Sequence, residues 1–313
     1  MKIALNTTGL GDNADLSEFE KLGETVCFEE VEREELFRLA SDCDAIIINK
    51  VVVDEALLAA CPKLKYVGVF ATGYNVVDTD ACTKRGIIVS NVPDYSTNAV
   101  AQLAFALILN FLGAIDKYTA SVAAGDWVRS KSFTYTPYPT YELKGKTFGI
   151  YGYGNIGKAV AKIADAFGAK VIICTRTPPK NCPYPLVSQE ELFKTSDIIS
   201  LHCPLTNVTA NLINGHTLSL MKRSAVLINT ARGGLVDEAA LANALNSGAI
   251  AGACVDTVSA EPMKADNPLL KAKNCYITPH IAWTTVEARE RLIKIAADNL
   301  RAFKEGKPQN VVN

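Results

Sequence analysis

The chain has 313 residues, a length that predicts about two domains. Hydrophobic residues make up 49% of it and charged residues 21%, the balance of a soluble folded protein, which excludes a disordered, collagen-like or low-complexity chain. Its 32 basic and 33 acidic side chains give a formal net charge of −1, so we expect neither nucleic acid nor a membrane surface among its partners. The first residues lack the apolar core of a signal peptide, which predicts a cytoplasmic location.

Short apolar runs alternate with helical patterns in the first third of the chain. The predicted strands are Ile3–Leu5, Ala45–Ile48, Tyr66–Phe70 and Ile87–Val89. The helical patterns between them are Glu34–Ala40, Asp54–Ala60 and Val77–Lys84. This alternation is typical of a parallel sheet with helices on both faces.

The most apolar stretch, Ala99–Ile115, is shorter than the ~20 apolar residues of a membrane span and contains Gln102 and Asn110. It therefore predicts a buried helix. The later segment Ser130–Tyr141 holds two prolines and four aromatic residues, which favours an extended conformation.

A second strand-and-helix series begins after Gly145. Its predicted strands are Thr147–Tyr151, Lys170–Cys174, Ile198–His202, Val226–Asn229, Gly252–Val255 and Tyr276–Thr278. The final stretch, Val286–Glu305, repeats apolar residues on one helical face and follows the last of these strands, so it can return to the first domain.

The sharpest local motif is GYGNIG, which follows the strand TFGIY and opens a helical pattern. A second strand, KVIIC, follows that helix, and this strand–turn–helix–strand unit is the fingerprint of dinucleotide binding. Glycines allow a tight turn, close approach of a pyrophosphate and close helix packing, while free N–H groups at the helix start face the phosphates. The predicted cofactor contacts in this motif are Gly152, Gly154, Asn155, Ile156 and Gly157.

These patterns predict an α/β chain with two doubly wound parallel-sheet domains. The first is a discontinuous flavodoxin-like domain formed by residues 1–97 and 285–313. The second, residues 98–284, is an inserted Rossmann domain that binds the dinucleotide.

The strand KVIIC ends in Thr175-Arg176, where dinucleotide-binding domains usually carry an acidic residue for the adenosine ribose. A hydroxyl and a guanidinium can receive a 2′-phosphate, whereas a carboxylate would repel it. This departure favours NADP(H) over NAD(H). The alternative is that Arg176 only stacks on adenine.

Three polar segments follow strands of the second series, and they carry Arg232, Glu261 and His280. The carboxyl ends of parallel strands share one edge of the sheet, so these side chains could converge there. Taken singly, each has a plainer interpretation, as a surface arginine, a turn glutamate and a loop histidine. The two other histidines are predicted to be a strand-end residue bonded to backbone, His202, and an exposed turn residue, His216.

The motifs ELKGKTFGIYGYGNIG, NTARGGLVDE, DTVSAEP and TPHIAW, in this order, resemble those of the D-isomer-specific 2-hydroxyacid dehydrogenases. Within that family the chain is most similar to the glycerate dehydrogenase/hydroxypyruvate reductase branch. The resemblance implies hydride transfer between NAD(H) or NADP(H) and a short 2-keto or 2-hydroxy acid of D configuration. It implies that Arg232 binds the substrate carboxylate, that His280 exchanges the proton, and that Glu261 orients the imidazole and favours its charged form.

The resemblance also implies further contacts. Backbone N–H groups of Ala71, Thr72 and Gly73 in the first domain would meet the substrate carboxylate, and Asp256 would lie near the nicotinamide amide. The remaining segments that would line the cofactor are Cys203, Pro204, Thr230 and Ala231. The family habit is a homodimer.

Two alternatives stay open: a phosphite-type dehydrogenase with the same three residues, and a nicotinamide-sensing corepressor-like binding protein. Nine cysteines without a CxxC pair favour neither a disulfide framework nor a zinc site, so we expect no metal.

Overall fold

The computed structural model describes residues 1–12 and 14–313. The chain divides into two compact units, one formed by Met1–Ser96 with Trp283–Asn313 and the other by Thr97–Ala282. The sequence predicts these boundaries at 97/98 and 284/285. Each unit contains one parallel sheet flanked by helices, so the predicted α/β class with two parallel-sheet domains is confirmed.

The sheet of the first unit has the order β2-β1-β3-β4-β5, the order of a flavodoxin-like sheet. Its strands are β1 (Lys2–Asn6), β2 (Glu24–Phe28), β3 (Ala45–Ile48), β4 (Tyr66–Val69) and β5 (Ile88–Ser90). The helices of residues 1–96 are α1 (Ser17–Glu20), α2 (Arg33–Ala40), α3 (Glu55–Ala60) and α4 (Thr79–Lys84). Every residue of β3 and β4 is buried, because these strands lie inside the sheet.

The sequence prediction missed β2. This strand pairs only with β1 at the edge of the sheet, and only its last residue, Phe28, is buried. An edge strand needs no continuous apolar run, so the sequence ETVCF carries a weak strand signal.

The second unit has a six-stranded sheet in the order β11-β10-β9-β8-β6-β7. Its strands are β6 (Thr147–Tyr151), β7 (Lys170–Cys174), β8 (Ile198–Leu201), β9 (Val226–Asn229), β10 (Gly252–Val255) and β11 (Cys275–Ile277). Its helices are α5 (Thr97–Gly113), α6 (Ile115–Ala123), α7 (Asp126–Arg129), α8 (Asn155–Ala166), α9 (Gln189–Thr195), α10 (Gly215–Leu220) and α11 (Glu238–Ser247). The strand order reverses at β6, which lies between β7 and β8, and ligands bind at the carboxyl edge of such a reversal.

The apolar helix α5 packs into the second unit through eight buried residues, as predicted. In the described residues no single helix has the length and composition to cross a membrane, although α5 and α6, bent by 59°, pass that test as a pair. Segment 130–141 contains neither helix nor strand.

The chain ends in α12 (Val286–Lys304), which belongs to the first unit. The hydroxyl of Thr285 caps its start by accepting a hydrogen bond from the N–H of Ala288. The predicted apolar face is buried, including Ile293, Ala296 and Leu300. The buried face of this helix packs within the first unit.

Candidate active site

The GYGNIG turn joins β6 to α8. Gly152 has a φ of 97°, and a Cβ atom there would lie 2.7 Å from backbone atoms of His202 and Cys203. A Cβ atom at Gly157 would lie 2.2 Å from the carbonyl oxygen of Gly152. Only glycine fits either position without displacing backbone, so the tight turn and close helix packing predicted from the motif are confirmed.

Around this turn the residues fit a dinucleotide. Gly154 immediately precedes α8, and a Cβ atom there would meet nothing within 4 Å, which leaves space for a phosphate beside the backbone. Asn155 and Ile156 begin α8, and the N–H groups at the start of a helix suit an anion. Thr230, which follows β9, is 7% exposed, and its buried hydroxyl has no hydrogen-bond partner among residues 1–12 and 14–313.

Thr175 and Arg176 follow β7, the strand paired with β6 along its full length. Thr175 is half-buried and Arg176 is exposed. The guanidinium of Arg176 has no ion pair or hydrogen bond to any described side chain. It is therefore available to an anionic ligand at the carboxyl edge of the sheet.

Arg232 lies between β9 and α11, in an exposed position. Its Nη1 donates a hydrogen bond to the carbonyl oxygen of Ala231 at 2.7 Å. The described residues provide no carboxylate partner for it. A guanidinium whose charge is not neutralised by the protein can bind a carboxylate through two parallel hydrogen bonds.

The turn that carries Arg232 is held by Asn229, a fully buried residue that the sequence prediction did not single out. Its Nδ2 donates to the carbonyl oxygen of Arg232 at 2.9 Å, and its Oδ1 accepts from the N–H of Ala231 at 3.1 Å. The signal was available in the sequence, since an amide directly after the apolar run VLI of β9 is well placed to bond the backbone of the following turn.

Glu261 and His280 form a direct pair: Oε2 of Glu261 lies 2.6 Å from Nδ1 of His280. The exposed fractions of their side chains are 29% and 25%, so both are reachable from solvent and partly shielded from it. The second oxygen of Glu261 accepts a hydrogen bond from the N–H of Val258 at 3.2 Å. Because Nδ1 faces the carboxylate, Nε2 is the ring nitrogen left for a substrate.

Asp256 positions the loop that carries His280. Its Oδ1 accepts hydrogen bonds from the hydroxyl of Thr278 at 2.6 Å and the N–H of Ile281 at 2.9 Å, and its Oδ2 accepts from the N–H of Ala282 at 2.9 Å. Its carbonyl oxygen accepts from the N–H of His280 at 2.8 Å. Burial raises the pKa of the Asp256 carboxyl, and these hydrogen bonds act in the opposite direction. The cofactor contact expected of Asp256 stays a prediction.

The sequence analysis singled out three residues that follow β8, namely His202, Cys203 and Pro204. The N–H of His202 donates to the carbonyl oxygen of Tyr151 at 2.7 Å, and its ring bonds to the hydroxyl of Ser200 at 2.8 Å. Cys203 is buried, which raises the pKa of its thiol to about 11. The carbonyl oxygen of Pro204 accepts a hydrogen bond from the hydroxyl of Thr209 at 2.7 Å.

The segment Ala71–Gly73 lies in the first unit, after β4. Thr72 donates its hydroxyl to the carbonyl oxygen of Val92 at 2.9 Å and accepts at its own carbonyl oxygen from Nδ2 of Asn91 at 2.7 Å. Within the described parts of the chain, the N–H groups of Thr72 and Gly73 donate no hydrogen bond. They are thus free to bind an anion.

The chain matches the family model for the NAD-binding domain of D-isomer-specific 2-hydroxyacid dehydrogenases over residues 105–282. The chain belongs to this family. It is 42% identical to the hydroxypyruvate reductase of Blautia hydrogenotrophica, over 96% of this chain and 95% of that protein. It is 45% identical to the glycerate dehydrogenase of Methylorubrum extorquens, over 89% and 88%. The structure of an NADPH-dependent glyoxylate/hydroxypyruvate reductase from Sinorhizobium meliloti superposes with a TM-score of 0.84, at 31% identity and coverage of 99% and 97%.

These findings confirm the predicted family and branch. The protein is an NAD(P)-dependent oxidoreductase of 2-hydroxyacids, and its cofactor is a nicotinamide dinucleotide. The three residues at the carboxyl edge of the second unit are its candidate catalytic groups: Arg232, Glu261 and His280.

Proposed function

We propose that this dehydrogenase interconverts short 2-keto acids of the hydroxypyruvate and glyoxylate type with their 2-hydroxy acids, and that a chiral product has the D configuration. The observation that carries the proposal is the Glu261–His280 pair, 2.6 Å apart, in the same unit as Arg232 and the dinucleotide turn. The names of the relatives support the substrate class, since they include a hydroxypyruvate reductase and a glycerate dehydrogenase.

Arg232 binds the carboxylate of the keto acid in this proposal. A guanidinium presents two parallel N–H groups to two oxygens, which fixes the rotation of the substrate as well as its position. Nη1 of Arg232 already bonds to the neighbouring carbonyl oxygen of Ala231, and this bond restricts the side chain before substrate binds. The contact of Ala71, Thr72 and Gly73 with substrate stays a prediction.

His280 donates a proton from Nε2 to the carbonyl oxygen of the substrate during reduction. The nicotinamide cofactor, when bound, supplies the hydride that reaches C2. Together the proton and the hydride convert the C=O group to CH–OH, and in the reverse direction His280 accepts the hydroxyl proton. Glu261 bonds to Nδ1, keeps the ring oriented and stabilises its positive charge.

We propose that the protein is a homodimer formed through the second unit. Several large apolar side chains are exposed on α7 and in segment 130–141, including Trp127 at 51%, Val128 at 87% and Phe133 at 93%. Burial of such a cluster against a second copy would remove apolar surface from water. Sedimentation of the wild type and of a Val128→Glu/Phe133→Glu double variant tests this, with a dimer expected for the first and a monomer for the second.

The cytoplasmic location stays a prediction.

The function is tested with purified protein, NADPH or NADH, and a panel of hydroxypyruvate, glyoxylate, pyruvate and longer 2-keto acids. We expect turnover with hydroxypyruvate and glyoxylate, loss of turnover in His280→Ala, and D-glycerate as the product of hydroxypyruvate. Oxidation of phosphite with NAD⁺ or NADP⁺, without reduction of any keto acid by NADH or NADPH, would instead identify a phosphite-type dehydrogenase. Nucleotide binding with no turnover of any substrate would identify a corepressor-like binding protein.

A further inference from the structure

Three hydrogen-bond donors converge on the carboxylate of Glu238, the first residue of α11. The N–H of Ser259 donates to Oε1 at 2.6 Å, and the hydroxyl of Ser259 donates to Oε2 at 2.8 Å. Nδ2 of Asn267 also donates to Oε2, at 2.9 Å. Hydrogen bonds to a charged carboxylate are shorter and stronger than neutral ones, and both oxygens of this one are engaged.

Glu238 and Ser259 belong to the two segments that carry the candidate catalytic groups. Glu238 follows the turn of Arg232, and its helix is fixed by Asp237, whose side chain accepts a hydrogen bond from the N–H of Ala240 at 3.0 Å. Ser259 precedes Glu261 in the same loop. The Glu238 carboxylate therefore connects the segment of Arg232 to the segment of Glu261 through hydrogen bonds.

Gly233 provides a second contact between the same two segments. A Cβ atom at Gly233 would lie 1.9 Å from the carbonyl carbon of Val258 and 2.5 Å from the nitrogen of Ser259. The two backbones therefore touch directly beside Arg232. A displacement of Ser259 would therefore disturb the backbone contact with Gly233.

Displacement of Ser259 also reaches the Glu261 side chain. Oε1 of Glu261 accepts a hydrogen bond from the N–H of Val258 at 3.2 Å, so the loop of residues 258–261 closes on itself. The other oxygen, Oε2, holds Nδ1 of His280. A shift of this loop would change the orientation of the imidazole relative to the Arg232 guanidinium.

We propose that Glu238 is a positioning residue of the active site, which acts through Ser259 to hold Glu261, and through it His280, in register with Arg232. The proposal rests on the proposed function of these three residues. In this proposal Glu238 acts on the reaction only through Glu261.

Substitution of Glu238 separates this role from a general effect on folding. Glu238→Ala removes both acceptor oxygens, whereas Glu238→Gln keeps one and should restore part of the activity. Ser259→Ala removes one of the two Ser259 donors and leaves the backbone N–H in place. Glu190→Ala is the matched control, because Glu190 also lies in the first turn of a helix of the second unit and pairs with the exposed Lys194, at 2.5 Å.

The kinetic test measures hydroxypyruvate reduction in these variants and in a Glu261→Gln background. We expect Glu238→Ala to lower kcat by about ten- to a hundredfold, since small misplacements of catalytic groups have effects of this size. The dissociation constant of NADPH should stay within about twofold of wild type. In the Glu261→Gln background the same substitution should change kcat by less than about twofold. An equal loss in both backgrounds would overturn the proposal, as would wild-type kinetics in Glu238→Ala.

Hydrogen–deuterium exchange provides a readout that does not depend on activity. Glu238→Ala should speed exchange in peptides covering residues 257–262, and Glu190→Ala should leave it unchanged. Unchanged exchange in Glu238→Ala would overturn the positioning role even in an active enzyme. Faster exchange in Glu238→Ala would support the connection between the two segments even if the wild type turned over no keto acid. That second result would refute the proposed function alone.

Discussion

Nδ1 of His280 lies 2.6 Å from Oε2 of Glu261, although the backbone of His280 has a φ of 55°, which residues other than glycine rarely adopt. The hydrogen bonds that Asp256 accepts from the same loop hold this conformation. The imidazole is thus fixed from two sides, through its ring by Glu261 and through its backbone by Asp256. Strain of this kind persists where the surroundings determine the backbone, and it occurs often at active sites.

The first prediction concerns the charge of Glu261. His280 is the proposed proton donor in reduction, and Oε2 of Glu261 lies 2.6 Å from its Nδ1. Glu261→Gln keeps the shape and removes the charge, so kcat for reduction at neutral pH should drop by at least about tenfold. The measurement is steady-state kinetics with hydroxypyruvate at saturating NADPH. A wild-type kcat in Glu261→Gln would contradict the role of Glu261. His280→Ala, which should bind nucleotide without turnover, is the reference.

The second prediction concerns the shape of Arg232. Arg232→Lys keeps a positive charge but loses the two parallel N–H groups that match a carboxylate. We expect KM for the keto acid to rise and kcat/KM to fall by roughly 30-fold, which corresponds to a loss of about 2 kcal/mol of transition-state stabilisation. The affinity for NADPH should not change. Steady-state kinetics and fluorescence titration of NADPH measure the two quantities. Near-normal kcat/KM in Arg232→Lys would refute the assigned contact.

The parts of the site that the sequence reveals are those whose signal is local. The glycines of GYGNIG mark a turn that only residues without a Cβ atom can form, and the structure shows the close contacts that require them at Gly152 and Gly157. Arg232, Glu261 and His280 each follow a strand of a parallel sheet, and this places them at one edge before any distance is known.

The parts that the sequence does not reveal depend on contacts between distant segments. Glu238 and Ser259 are 21 residues apart, and no spacing rule joins a helix-start glutamate to a loop serine. The sequence assigns Asp256 only to the cofactor, and the hydrogen bonds that it accepts from the loop of His280 join residues 22 to 26 positions apart. The edge strand β2 was missed for a related reason, since its stability comes from pairing with β1 rather than from its own apolar pattern.

The third prediction concerns stability in acid. Burial lowers the pKa of His202 to about 3, below the ~6.5 of an exposed imidazole. Between these two values the unfolded chain binds a proton that the folded chain does not, so the free energy of unfolding falls as the pH falls through this window. One such group changes the free energy of unfolding by at most about 1.4 kcal/mol per pH unit.

Removal of the imidazole tests this linkage. In His202→Asn the free energy of unfolding should decrease less steeply between pH 7 and pH 5 than in the wild type. The comparison is of slopes from urea unfolding at each pH, because the substitution also removes the hydrogen bond to Ser200 and shifts the absolute value. His216→Asn is the matched control for the loss of an exposed imidazole. Equal slopes in all three proteins would contradict a neutral His202 in the folded state.

The last prediction is the choice between the two nicotinamide cofactors. Thr175 and Arg176 follow β7, next to the dinucleotide turn, and no carboxylate stands at the position that usually binds the adenosine ribose. The hydroxyl of Thr175 can donate to a phosphate oxygen, and the guanidinium of Arg176, without a partner among the described side chains, can pair with the 2′-phosphate. We therefore expect NADPH to be preferred over NADH.

Three variants measure this preference as the ratio of kcat/KM for NADPH to that for NADH. Arg176→Ala should lower the ratio by about 10- to 100-fold, the range of a charge-assisted hydrogen bond to phosphate. Thr175→Asp should lower it at least as much, because a carboxylate binds the ribose diol of NADH and repels the 2′-phosphate of NADPH. Lys170→Ala is the control, since this exposed cation lies at the opposite end of the same strand and should leave the ratio unchanged. A wild-type enzyme that strongly prefers NADH, with a ratio insensitive to both substitutions, would show that Arg176 at most stacks on the adenine ring.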